Sequence, residues 1–396
     1  MLAAGCVFLD VRKQQEKLDA ACEVRGSVRA EDGKHAMVVV LARRAGEGWQ
    51  IADHFVLEQP GRWTFAFGAG TYRLAAFQDR NNDLVYQPGE PLVYGERQLA
   101  CTSGETFDEL ALLIPAKGGA RLDRSIDIAA LQARTPHDQL SATLGQLTAV
   151  GELAALSDAR FSQAQAESGL WRPFDFLFDA RAGVYFLEPY DARRIPVLFV
   201  HGINGTPANF EALAAGLDRR RFQPWVYYYP SGAHLGAVAD HLTQTVTKLH
   251  VRHDFRSLVV VAHSMGGLVA RGFILRHQAS GARARIPLFM SISTPWSGHK
   301  GAAIGVATAP VVVRVWEDMA PGSEYQQGLF AAPLPTGTAH HLVFTPNDQT
   351  VTRESQLRPE AQRDAVRVHG FDDSHMGVLN NTEVAELLNK LLAAVD

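Results

Sequence analysis

The stretch Leu258-Val259-Val260-Val261-Ala262-His263-Ser264-Met265-Gly266-Gly267-Leu268-Val269-Ala270-Arg271 constrains this chain more than any other. An apolar, β-branched run of strand length gives way to a serine between small residues, and a segment of helical composition follows. This reads as strand, sharp turn, helix. A serine at such a turn projects its hydroxyl above the sheet edge, and small residues two before and two after it let strand and helix pass closely. The pattern G-x-S-x-G stands here as Ala262-His263-Ser264-Met265-Gly266, with alanine at the first small position. A pentapeptide recurs by chance, so the rest of the chain decides its meaning.

At 396 residues the chain has room for two cores. Hydrophobic residues make up 46% and charged residues 20%, the balance of a folded rather than a disordered or fibrous chain. A net charge of -4 argues against nucleic-acid binding. No apolar run reaches the roughly 18 residues that would span a bilayer. Leu2-Ala3-Ala4-Gly5-Cys6 resembles the end of a bacterial lipoprotein signal, in which the cysteine becomes lipidated; that likeness implies membrane attachment through Cys6 and a place in the bacterial cell envelope. The alternative is an ordinary small-residue start with a buried cysteine, and a cytoplasmic protein. Of the three cysteines, Cys22 and Cys101 flank one β-rich region, where they form either a disulfide or two reduced thiols. No Cys/His cluster suggests zinc.

Residues 1–20 are polar enough for a tether or a short exposed helix. From 21 to 116, β-like runs at Glu23–Val28, Ala36–Ala42, Trp49–Leu57, Trp63–Phe67, Tyr72–Phe77 and Glu109–Ile114 alternate with turn residues and predict a β-sandwich. The segments around Gly26, Gly61 and Gly70 give this region a loose resemblance to transthyretin-like modules. Within it, Asp79, Asn81, Asp83 and Glu90 have the spacing of a calcium loop, but Leu84 replaces the glycine that an EF-hand requires; the other reading is a turn closed by Asp and Asn side chains. Residues 117–182 read as a helical connector, with apolar spacing near 3.6 at Leu144, Leu147, Val150, Leu153 and Leu156. From 183 to 396, strands alternate with helices and predict an α/β fold with a mostly parallel sheet.

Three further motifs follow the serine's lead in chain order. These are His201-Gly202-Ile203-Asn204-Gly205 after an apolar strand, Val343-Phe344-Thr345-Pro346-Asn347-Asp348-Gln349-Thr350-Val351, and His375-Met376-Gly377 before the final helix. With Ser264 they resemble the α/β-hydrolase family, in particular its lipase-like branch. The resemblance implies Ser264 as nucleophile, His375 as general base, Asp348 as its orienting acid, and the N–H groups of Ile203 and Met265 as the oxyanion hole. Asp372 and Asp373 are alternatives for the acid, and His369 for the base. The resemblance further implies a serine esterase or lipase acting on a small-molecule or lipid ester, with no metal or organic cofactor and no obligate protein partner. A thioesterase, amidase or acyltransferase on the same residues, or a non-catalytic surface binding protein, are the other readings. Residues 302–334, holding the apolar run Ile304–Val315, read as a lid over the pocket or as a core helix.

Overall fold

A computed structural model describes residues 2–132 and 142–396, without the side chains of residues 2–6, 131 and 132. The chain begins with helix α1, Leu2–Asp19, rich in good helix formers. It is docked rather than a tether: Val11 and Gln14 are buried, Gln14 Oε1 accepts the N–H of Asp175, and Gln15 Nε2 donates to the Val312 carbonyl at 2.7 Å. Val11 joins a hydrophobic core and the polar contacts add to it, which a composition of this kind does not announce. Cys6 lies in this helix; its side chain, and so the lipid expectation, falls outside the described residues.

Two sheets follow, built from β1 Cys22–Ala30, β2 Ala36–Ala45, β3 Gly48–Leu57, β4 Gly61–Phe67, β5 Gly70–Asp79, β6 Leu92–Cys101 and β7 Thr106–Ile114, while the short strands Val85–Tyr86 and Ile126–Asp127 pair with each other. One sheet has the order β4-β1-β7 and the other β3-β2-β5-β6. Apolar residues alternate along them, so Val24, Phe65 and Leu112 of the first sheet meet Val39, Leu74 and Leu99 of the second in one core. A Cys22–Cys101 disulfide joins the two sheets. Strand β6 lies outside the runs expected from sequence, because Gly95, Glu96 and Arg97 interrupt its alternation at a sheet edge.

In the loop after β5, Asp79 accepts the N–H groups of Asp83 and Leu84, and Glu90 accepts those of Arg80 and Gln87. Asp83 accepts the Asn81 side-chain amide and the N–H of Val85. Leu84 takes φ 57°, the left-handed conformation that a calcium loop gives to glycine. These carboxylates close a turn, in line with the second reading.

The larger sheet has eight strands: β8 Thr148–Leu153, β9 Ala182–Phe186, β10 Ile195–Val200, β11 Phe222–Tyr228, β12 Val259–His263, β13 Leu288–Ile292, β14 Ala339–Phe344 and β15 Ala365–Gly370. Their order is β8-β9-β11-β10-β12-β13-β14-β15, and all pairs are parallel except β9 with β11. Every residue of β9, β11, β12 and β13 is buried, as in a parallel sheet covered on both faces. Helices α2, Leu235–His253, and α3, Met265–Ala279, cover one face, and the final helix α5, Thr382–Ala393, covers the other; α4 is Lys300–Thr308.

Two expectations change here. The predicted helical connector contains strand β8, and the part of it spanning 133–141 lies outside the described residues. Positions 147, 150 and 153 fit a helical period, but β8 adds a parallel edge to the large sheet, and tertiary pairing overrides so short a signal. The large sheet therefore begins at Thr148 rather than at 183. The two-sheet region packs against α2: Gln244 Oε1 accepts the N–H of Val56, and His250 pairs with Glu58, which also takes the N–H of Arg283 at 2.8 Å.

Candidate functional site

Strands β10, β12, β13, β14 and β15 run the same way, and each hands the chain to a loop at its carboxyl end. Those loops carry Ile203, Ser264, Thr294, Asp348 and His375. Open parallel sheets present their sites at this edge.

Ser264 follows β12 at φ 53° and ψ -131°, a conformation that costs a non-glycine residue roughly 1–3 kcal/mol. The surroundings hold it there. Its N–H donates to the Ile292 carbonyl at 2.8 Å, and its carbonyl accepts the N–H of Gly267 at 2.9 Å. A Cβ on Gly266 would overlap the carbonyls of Val200 and His201, and one on Gly267 would overlap Thr294 Oγ1, so both glycines are required by close approach.

Ser264 Oγ and His375 Nε2 are 2.9 Å apart, and His375 Nδ1 lies 2.6 Å from Asp348 Oδ2. The structure thus brings these three expected residues together, although 111 and 27 positions of chain separate the two pairs. Since Asp348 accepts, Nδ1 carries the proton and Nε2 is free to accept from the Ser264 hydroxyl. Burial pushes the Asp348 carboxyl up, but the hydrogen bonds from His375 and the Val351 N–H outweigh it, and the net shift is below the usual carboxylate range. The alternatives lie elsewhere: Asp372 accepts from Asn347, Asp373 from Asn381, and His369 pairs with His341 at 3.0 Å.

Gly202 and Ile203 pass beside Ser264, since a Cβ on Gly202 would stand 2.8 Å from that of Ser264. Among the described residues the N–H groups of Ile203 and Met265 donate to no other group of the chain. The loop is held from behind: Asn204 donates its N–H to Ser231 Oγ, and Tyr229 OH donates to the His201 carbonyl at 2.6 Å. Burial lowers His201 to about 4, so it stays neutral.

Sequence reasoning missed Thr345 and Gln356, which contact Asp348 Oδ2 at 3.0 and 3.3 Å. It left residues 302–334 open. Val313, Val315, Met319 and Leu329 are core residues there, whereas Ile304 on α4 is 63% exposed. His299, at the start of α4, reaches the Thr350 carbonyl in the acid loop at 2.9 Å.

The sheet order, the strained serine turn and the acid and histidine after it define an α/β-hydrolase fold preceded by a β-rich region. A family model described as lecithin:cholesterol acyltransferase matches residues 238–307, from α2 through the serine turn to α4. No curated protein matches the sequence. Solved structures similar to this chain include the mature lipase BlEst2 of Bacillus licheniformis, 14% identical with TM-score 0.44, covering 53% of this chain and 97% of that one. Lipase B of Aspergillus fumigatus is 15% identical with TM-score 0.41, covering 53% and 55%. The thermophilic esterase Est2 of Thermogutta terrifontis is 18% identical with TM-score 0.38, covering 54% and 88%.

Proposed function

We propose that this chain is a serine hydrolase that cleaves carboxylic esters, acyl lipids among them, through an acyl-enzyme on Ser264. The carrying observation is the unbroken hydrogen-bonded line from Ser264 Oγ through His375 to Asp348. Ser264 Oγ attacks the ester carbonyl while His375 Nε2 takes its proton. The oxyanion so formed is held by the N–H groups of Ile203 and Met265. The tetrahedral species collapses, the C–O bond to the alcohol breaks, and His375 returns the proton to the leaving alkoxide. Water then attacks the acyl-enzyme by the same route, releasing the acid and regenerating Ser264. Asp348 keeps the imidazole in the tautomer this needs and stabilises the imidazolium.

A fluorophosphonate probe tests the reading: the wild type is labelled and Ser264→Ala is not. A folded wild type that resists labelling would sink the enzyme and leave the surface-binding reading. A panel of p-nitrophenyl esters from short to long then gives the preferred acyl length.

The acyltransferase family match over the serine turn favours a second reading, in which an alcohol rather than water takes the acyl group. Formation of the new ester in the presence of an added alcohol distinguishes the two. The Cys22–Cys101 disulfide supports an oxidising location such as the cell envelope, in keeping with lipid on Cys6. Mass spectrometry showing an unmodified Cys6 in protein matured in its native envelope removes the lipid.

A further inference from the structure

The acid loop, residues 345–351, is closed by a side chain with no part in the proposed chemistry. Gln356 is fully buried. Its Oε1 accepts the N–H of Thr345 at 3.0 Å, while its Nε2 donates to the carbonyls of Val351 at 2.8 Å and Thr345 at 3.2 Å. One carboxamide thus staples the first residue of the loop to the last. Those two N–H bonds use its donors, and the same nitrogen stands 3.3 Å from Asp348 Oδ2. Inside the staple, Asp348 Oδ1 takes the N–H groups of Thr350 at 2.7 Å and Val351 at 2.9 Å.

Thr345 approaches from the other side. Its hydroxyl lies 3.0 Å from Asp348 Oδ2 and 3.0 Å from Ser293 Oγ. A carboxylate only accepts, so Thr345 donates to Asp348 and Ser293 donates to Thr345. Ser293 and Thr345 are both fully buried, and Ser293 takes φ 49° at the end of β13. The Asp348 carboxylate therefore meets a defined donor on every side, and only the line to His375 leads to the reacting atoms.

We infer that Gln356 and Thr345 are positioning residues that fix the Asp348 carboxylate, and through it the His375 imidazole, against Ser264. The inference rests on the serine-hydrolase reading. A leucine or methionine at 356 would fill similar space but leave the Thr345 N–H and the Val351 carbonyl unpaired and the loop free to shift, while the Thr345 carbonyl keeps the N–H of Asp348 at 3.4 Å. A valine at 345 keeps the shape and removes one donor to Oδ2.

The test uses Thr345→Val, Thr345→Ser and Gln356→Met in the full chain. Steady-state kinetics are measured on a p-nitrophenyl ester, with thermal melting alongside. The downfield Nδ1 proton resonance of His375 reports the bond to Asp348 without turnover. We expect kcat to fall about tenfold or more in Thr345→Val and Gln356→Met with KM within about twofold, since only the aim of the base is lost. Thr345→Ser keeps the hydroxyl and restores kcat, and the downfield resonance broadens or disappears in the two impaired variants alone. Unchanged kcat and an unchanged resonance in folded Thr345→Val overturn the inference, and this milder variant carries the test if Gln356→Met does not fold. A wild type that neither labels nor hydrolyses overturns the hydrolase reading, while the resonance still reports whether the brace holds the imidazole.

Discussion

His263 donates its Nε2–H to the main-chain carbonyl of His375 at 2.8 Å, so the residue beside the candidate nucleophile holds the backbone of the candidate base. Burial lowers His263 to about 3, which leaves it neutral, and the two rings lie 4.7 Å apart. We predict that His263→Phe lowers kcat roughly tenfold with little change in KM, the loss expected for one buried hydrogen bond. Steady-state kinetics on a p-nitrophenyl ester check it, and an undiminished kcat would show that the tie is idle.

Asp348 sets the imidazole tautomer, so an amide there changes the chemistry without changing the shape. Asp348→Asn is expected to lower kcat on the order of 10⁴-fold, as for the acid of a serine protease. The comparison of interest is Asp372→Asn, which should stay within a few-fold of wild type. A larger loss in the second variant would reassign the acid.

Gly267 faces Thr294 with no room for a methyl group. Gly267→Ala must push helix α3 away from the loop after β13, at an expected loss of about 1–3 kcal/mol in urea denaturation. Gly328, where an added methyl group would meet no heavy atom within 4 Å, offers a control. Gly328→Ala should leave the midpoint unchanged or raise it slightly.

Three buried histidines predict sensitivity to mild acid. Burial lowers His201 to about 4, His263 to about 3 and His340 to about 3. Each folded value lies below the unfolded value of about 6.5, so the unfolded chain binds protons that the native chain does not. Stability is then full above about pH 6.5 and declines as pH falls toward 4, by up to about 4 kcal/mol per unit for three protons. Urea midpoints measured at pH 7 and pH 5 test this, and His340→Leu should flatten the dependence. A midpoint that stays flat across that window would mean the three sites protonate in the folded state.

The elements legible in the sequence are those whose local pattern and tertiary role agree. Val259 to Val261 is continuously apolar because the strand is buried on both faces, and Gly266 and Gly267 are small because carbonyls and Thr294 crowd them. The parallel direction that brings Ile203, Ser264, Asp348 and His375 to one edge follows from an alternation of strands and helices that the sequence displays, whereas the order of the strands does not. Other features depend on partners far along the chain. Thr148–Leu153 reads as a helix by spacing and becomes a strand only because Ala182–Phe186 is beside it. Leu92–Cys101 hides its alternation behind Gly95 and two charges. Gln356 is one polar residue among many, and nothing in its neighbours announces that Thr345 and Val351 will converge on its carboxamide.

Strand β8 also decides where this protein can be cut. A fragment starting at Gly183 would lose the neighbour of β9 and bare a fully buried, apolar strand whose unpaired N–H and C=O groups invite a second chain to pair with it. Such a fragment should form insoluble aggregates when expressed, whereas one starting at Thr143 retains the covering strand and should remain in solution, a difference that a centrifugation assay reads directly. Any effort to isolate the half built on the eight-stranded sheet must therefore carry with it residues that look like linker.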